Sequence, residues 1–404
     1  MKNILIVVDV YPPEVSSASN LMYELANGLK KGGHNVWVLT SYPKYYLPQE
    51  LKNKKFELFS DENGIKVIRV NTPPLKKINF IMRGIFQLFL PFLFFQKAKT
   101  LIKDRIDVVI IYSPPLLLAI LGIKLKKYFG AKFILNIQDI FPQNAIDLGI
   151  LNNKIAIKFF EMIEQKVYRS ADLITFHSEG GRKFLIEKKG VPPNKIIVFP
   201  NWIDPEPYNN LTKNISFRKQ WNLEQKFIFL FAGIMGPAQG LDFVVEIAKR
   251  VSDMQDIVFV LVGDGKEKIK IERMIQNYQL NNVIIKPFVS QEDYPYLVKE
   301  IDVGLVCLSK NNKTPFIPGK FLGYMAAQKP ILAFLNKESD GFKIIKEARC
   351  GYAIESGDIN KGIENIKKLY NEKAKLKELG INGFKYLLNN FTIDACLTKF
   401  EKLI

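Results

Sequence analysis

Three cysteines and two histidines are all the thiol and imidazole chemistry this 404-residue chain has. Cys307, Cys350 and Cys396 are far apart, and His34 and His177 stand alone. Neither a disulfide framework nor a zinc-ligand spacing can be built from them. No Asp-x-Asp occurs, which removes a common seat for a divalent cation that holds a nucleotide diphosphate. The simplest reading is a cytosolic protein with no metal and no cofactor. Long apolar runs are scarce as well. The N-terminal ILIVVDV contains Asp9 and runs into Pro12-Pro13 without a small-residue cleavage site, so it reads as a buried strand rather than a signal peptide. Acidic residues are outnumbered, 40 against 58 Lys and Arg, for a formal charge of +18. That balance favours phosphorylated ligands, anionic membranes or nucleic acid, although a Lys-, Ile- and Asn-rich compositional habit accounts for it equally well. No basic patch interleaved with aromatics stands out, so no nucleic-acid partner is expected.

What is present is a rhythm. Apolar strands at 4–10, 35–40, 65–70, 107–113, 132–139, 172–178 and 195–200 alternate with helical patterns such as 18–31. Continuous apolar strands separated by helices indicate a parallel, doubly wound α/β sheet covered on both faces. The Pro-rich PNWIDPEPY (200–208) interrupts it, and the rhythm restarts with FIFLFAG, 256–265, 282–288, 302–308, 330–335 and 352–355. Two domains follow, 1–203 and 204–390, with a C-terminal helix in 391–404 returning to the first. Ligands in such sheets bind beyond the carboxyl ends of the strands, so a cleft between two facing domains is expected.

Segment 78–95, INFIMRGIFQLFLPFLFF, breaks the pattern. It is too apolar for a loop and is flanked by Lys76, Lys77, Lys97, Lys99, Lys103 and Arg105. Asn79, Arg83, Gln87 and Pro91 make it a poor span, since about 20 apolar residues are needed. It is either a helix in the membrane interface, held by cationic flanks, or a helix buried in the first domain.

Chemistry concentrates at glycine turns. LFAGIMGPAQGL (230–241) is strand, Gly/Pro turn and helix, the layout that points backbone N–H groups and a dipole at a phosphate. A second strand ends in Gly263-Asp264-Gly265. The first turn has no cation before Lys249. In TPFIPGKFLGYMAAQKPIL, Gly319 breaks the chain and Lys320 opens a helix. A cation there is unfavourable against the dipole unless an anion lies between, so Lys320 supplies the countercharge to amides from Gly236 onward. In the first domain Glu14, Ser16, Ser17 and Ser19 form a polar loop that either caps a helix or meets a ligand. Asp139 ends a strand, as a structural cap or as a general base or orienting group. His177 ends another and reads as structural.

These stretches, with PNWID, VLVGDG and VIIKPFVSQEDYPYLV, resemble the retaining glycosyltransferases of family 4, which have the GT-B fold. IQDIFPQNAIDLG and GPAQGL look most like the WbuB-type branch, whose members add N-acetylated deoxysugars to polyprenyl-diphosphate-linked saccharides. The resemblance implies two Rossmann-like domains and a nucleotide-diphosphate sugar, most simply a UDP-sugar, on the second. Gly233, Gly236, Gln239 and Gly240, with Gly263, Gly265, Gly319 and Lys320, would surround the diphosphate. Phe288 and Val289 would meet the base. A lipid-linked acceptor would bind the first domain, at the inner face of the cell membrane. The family's usual Arg and Lys fall on Ile234 and Gln239, and its usual ribose-gripping Glu falls on Gly323. The rival readings are a nucleotide-sugar epimerase and a non-catalytic scaffold of polysaccharide assembly.

Overall fold

The computed structural model describes residues 1–14, 16–45, 47, 51, 53–75 and 78–404; Lys76 and Lys77 of the basic flank lie outside them. The chain forms two compact units, Met1–Asn201 with Ile393–Ile404, and Trp202–Thr392.

The first unit is an eight-stranded sheet of β1 (Asn3–Val7), β2 (Asn35–Ser41), β3 (Phe59–Glu62), β4 (Ile65–Val70), β5 (Val108–Ser113), β6 (Lys132–Ile137), β7 (Leu173–Phe176) and β8 (Ile196–Val198). Their order is β3-β4-β2-β1-β5-β6-β7-β8. All pair in parallel except the β3–β4 hairpin, whose Asn63-Gly64 turn has positive φ at both residues. The central strands are buried along almost their whole length, as a sheet covered on two faces requires. Strand order reverses between β1 and β5, so their carboxyl ends diverge into a crevice.

The second unit contains β9 (Phe227–Ala232), β10 (Ile257–Val262), β11 (Val283–Lys286), β12 (Val303–Cys307), β13 (Ile331–Leu335) and β14 (Gly351–Glu355) in the order β11-β10-β9-β12-β13-β14. Every pairing is parallel, and the reversal lies between β9 and β12. Both sheets are doubly wound, as the rhythm of apolar runs leads one to expect.

Helix Ile393–Phe400 lies against helix Ser17–Lys31 in the first unit. The approach is close enough that a Cβ on Gly28 would meet the Leu397 side chain at 2.3 Å. Helix Phe80–Leu101 runs beyond the apolar segment, so Lys97 and Lys99 sit inside it rather than flanking it. Leu90, Phe94 and Ala98 are fully buried, one per turn, while Met82, Ile85, Leu88, Phe89 and Phe92 face outward. The helix therefore belongs to the core along one stripe and is uncovered along the other. Among the described residues no helix is long and apolar enough to cross a membrane.

Candidate active site

In the second unit β9 and β10 leave the sheet side by side through glycine. Gly233, Gly263 and Gly265 adopt φ of 145°, 145° and 155°, which side chains scarcely tolerate. The turns are pressed together: a Cβ on Gly263 would sit 1.9 Å from the Gly233 carbonyl oxygen, and one on Gly265 2.4 Å from that of Met235. The N–H of Gly233 donates to Val262 at 2.9 Å, that of Gly263 to Lys286 at 2.9 Å, and that of Gly265 to the Asp264 carboxylate at 2.8 Å. These three amides are committed to hydrogen bonds within the turns. Their contribution is shape.

The available face starts later. Gly240, at φ 58°, begins helix Leu241–Arg250, which no side chain caps. Its positive dipole end suits an anion, and of its first-turn amides that of Phe243 donates to Asp242 Oδ1 at 3.1 Å while Asp242 Oδ2 accepts from Lys270 at 2.9 Å. Gly240 lies against Ser309, whose Cα would be 3.0 Å from a Cβ there, and Ser309 N–H donates to Ala238 at 2.8 Å. The turn thus closes over the end of β12, at the reversal point. Gly236 lies between, partly accessible.

Lys320 comes to this turn from the far side of β12. Its Nζ donates to Gln239 Oε1 at 3.1 Å and lies 4.6 Å from the centre of the Phe231 ring. A Cβ on Gly233 would come within 2.9 Å of its Cε, so the glycine makes room for the lysine. Desolvation pushes the Lys320 pKa down to about 8, with the nearby Cys307 acting weakly the other way. Among the described residues no carboxylate pairs with the amine, and a partly buried amine so placed is costly. Gly319 is exposed at the start of helix Lys320–Ala326. Phe288 is 52% exposed on the loop after β11, whereas Val289 leans on the apolar core.

Gly323 is buried in that same helix. A Cβ there would be 3.3 Å from the Tyr294 hydroxyl and 3.4 Å from that of Tyr208. The volume of a longer side chain is taken by two phenols, a substitution that sequence reading missed. Tyr208 lies just past PNWID and Tyr294 in helix Tyr294–Glu300, and their proximity has no local sequence signal.

At the carboxyl edge of the first sheet, Asp139 follows β6 and is half-buried, its pKa raised by desolvation. The Tyr112 phenol ends β5, its pKa raised by burial and then by Asp139 and Asp9. Two carboxylates and a phenol therefore gather at the β1/β5 crevice; Asp9 was not among the expected residues. Glu14 is buried, its carboxylate accepting from Lys44 N–H at 3.1 Å, so it latches the segment after β2. Ser16 caps helix Ser17–Lys31 by accepting from Ser19 N–H at 3.1 Å, Ser17 is exposed in its first turn, and Ser19 has no exposed surface. Glu14 also lines a small cavity with Asp9 and Lys44. His177 is buried and stacked on Phe176, and burial pushes its pKa down to about 4. Beside it a chain of side-chain hydrogen bonds runs Asn201 to Gln138 (2.7 Å), Gln138 to Asn136 (2.8 Å) and Asn136 to Thr175 (2.9 Å). It ties the Asn of PNWID to the strand end that carries Asp139.

Residues 18–207 match Glycosyltransferase Family 4, and residues 213–386 match Glycosyl transferases group 1. The chain belongs to the family 4 glycosyltransferases of GT-B fold. Among relatives, this glycosyltransferase is 28% identical to the putative colanic acid biosynthesis glycosyl transferase WcaI of Escherichia coli, over 78% of this chain and 79% of that one. It is 26% identical to the probable glycosyltransferase WbjE of Pseudomonas aeruginosa, over 82% of each. The fold is shared with Anabaena HepE, solved in complex with UDP, at a TM-score of 0.73, 15% identity and coverage of 100% and 99%.

Proposed function

We propose that this glycosyltransferase moves a sugar from a UDP-sugar to a polyprenyl-diphosphate-linked saccharide during surface polysaccharide synthesis, with retention and without a metal ion. An N-acetylated deoxyhexosamine is the sugar that the resemblance of its GPAQGL turn to the WbuB-type branch implies. The observation that carries the reading is the Lys320 amine seated on the 233–240 turn with, among the described residues, the neutral Gln239 as its hydrogen-bond acceptor. A diphosphate between the amine and the uncapped helix would satisfy both, and would be stabilised there as it departs. Phe288 offers a ring for the base. Asp139 would receive or orient the acceptor hydroxyl. The naming of WcaI for colanic acid biosynthesis and the UDP complex of HepE support the polysaccharide and donor classes. The enzyme would act on the inner face of the cell membrane, touching it through the outward side of helix Phe80–Leu101.

The test is a thermal-shift titration with UDP, GDP, ADP and dTDP at matched ionic strength, beside Lys320→Ala. Stabilisation by UDP that Lys320→Ala abolishes is the expected result. If no diphosphate stabilises the protein, the donor reading fails and the scaffold reading replaces it.

A further inference from the structure

Helix Lys154–Ser170, in the first unit, has an outward face that its family membership does not explain. The inward positions Ile163, Val167 and Tyr168 are buried, and Glu164 is buried in a 3.0 Å ion pair with Lys189. The outward positions are Lys154, Ile155, Lys158, Phe159, Met162, Lys166 and Arg169. Ile155 is 83% exposed and Met162 62%. Ile155, Phe159 and Met162 fall at i, i+4 and i+7, one stripe of a helix. Four cations share that face, and the partly exposed Glu161 at its margin is the one acid beside them. Ile150 is also exposed in the preceding loop.

This helix has company. Helix Ile120–Phe129 packs between it and helix Phe80–Leu101. All three cover the same face of the sheet, because each right-handed crossover from β4 to β5, β5 to β6 and β6 to β7 advances in one direction. The middle helix exposes Lys124, Lys127 and Tyr128, and Tyr128 meets Phe95 edge-on at 5.7 Å. On each outer helix the uncovered apolar side chains run from the N-terminal end to about the middle, Met82 to Phe92 on one and Ile155 to Met162 on the other. A crossover helix starts at the carboxyl edge of the sheet, so both apolar clusters lie toward the edge that carries Asp139.

We infer that helix Lys154–Ser170 is a second membrane-inserting element, which with helix Phe80–Leu101 lays this face of the first unit on an anionic bilayer. The charge pattern selects that occupant. Protein interfaces are depleted in Lys at their apolar centre, whereas an interfacial helix alternates apolar anchors with Lys that reaches anionic headgroups. Two parallel contacts fix the rotation of the unit on the surface, which one helix cannot do. They bring the Asp139 edge toward the headgroup layer, where a lipid-linked diphosphate would project. That purpose rests on the proposed acceptor, but the docking does not require it.

The test is co-sedimentation of the full chain with vesicles of 30 mol% phosphatidylglycerol in phosphatidylcholine, and with phosphatidylcholine alone. Ile155→Glu/Met162→Glu is expected to lower the bound-to-free ratio at least tenfold. Lys154→Ser/Lys158→Ser is expected to lower it about tenfold on the anionic vesicles only. Unfolding midpoints should stay at the wild-type value, because all four side chains are exposed. Wild-type binding by Ile155→Glu/Met162→Glu, while Phe89→Glu/Phe92→Glu loses it, would overturn the second element and leave the first. Unchanged vesicle binding with a dimer that Ile155→Glu/Met162→Glu splits in sedimentation velocity would assign the face to a second copy and also overturn it. Sugar transfer to a soluble acceptor by all these variants would show that a failure here leaves the donor reading intact.

Discussion

The Lys320 amine rests 3.1 Å from the side-chain oxygen of Gln239, a neutral group. Among the described residues no carboxylate pairs with the amine, and an amide repays only part of its desolvation. The first expectation follows from that imbalance. Lys320→Met should raise the stability of the free protein by about 1–3 kcal/mol while abolishing stabilisation by UDP. Thermal melts with and without nucleotide check both halves. A destabilised free protein would mean that Lys320 is needed for packing.

The same group sets a pH dependence. Its pKa, pushed down to about 8 by burial, lies below that of a lysine in the unfolded chain, near 10.4. Between those values the unfolded state binds more protons, so this group lets stability rise with pH from about 8 to 10. Diphosphate binding has the opposite trend because it requires the ammonium form. UDP affinity should weaken as pH climbs through 8, and Lys320→Arg should flatten that profile. Calorimetric titration at pH 7 and 9 decides it.

Much of this was legible from sequence, for a physical reason. Buried parallel strands must be continuously apolar, so the β1, β5, β9 and β10 runs announced themselves, and glycines at positive φ marked the turns that follow β9 and β10. β3 was invisible because FSDE, four residues of an edge hairpin, has three polar residues. The seating of Lys320 on the turn followed from electrostatics alone. The burial of Glu14 and Ser19 was not legible, because a polar residue near a strand end looks the same in sequence whether it faces ligand or fills a latch. The Tyr208–Tyr294 pair at Gly323 and the Asn201–Gln138–Asn136–Thr175 chain join residues far apart in sequence. The outward face of helix Lys154–Ser170 escaped because its lysines mask its apolar stripe in any local average.

Gly263 is where backbone shape is least negotiable. Its φ of 145° excludes side chains, and a Cβ would fall 1.9 Å from the Gly233 carbonyl oxygen. Gly263→Ala should cost about 3 kcal/mol or more through strain and separation of the two turns. Gly319→Ala, where a Cβ meets nothing within 4 Å, is the matched control and should cost under about 1 kcal/mol. Denaturant unfolding of the pair measures the difference.

Gly323 offers a sharper comparison. Restoring a carboxylate with Gly323→Glu should destabilise the second unit, because the Tyr294 and Tyr208 hydroxyls already occupy the approach at 3.3 and 3.4 Å. Gly323→Glu/Tyr294→Ala should recover part of the loss, since removing the phenol opens the volume. Recovery of stability in the double variant, read as a coupling energy across the four proteins, would identify the phenols as the occupants. Additive losses would locate the strain elsewhere in the helix.

Asp139 carries the last expectation. Desolvation raises its pKa, so it holds its proton to a higher pH than a surface aspartate. If it takes the proton of the acceptor hydroxyl, transfer needs the ionised form, and the rate falls as pH drops through that raised pKa. Asp139→Asn keeps the shape and removes the basicity. It should lower kcat by about 100-fold or more with UDP affinity unchanged, because Asp139 sits in the first unit and the glycine turns in the second. Two quantities separate a base from a mere cap. A base loses kcat and the acidic limb of the pH profile together. A structural cap loses thermal stability while the limb survives. Full transfer rate in Asp139→Asn would remove this carboxylate from the chemistry and leave Asp9, its neighbour across Tyr112, as the next group to replace.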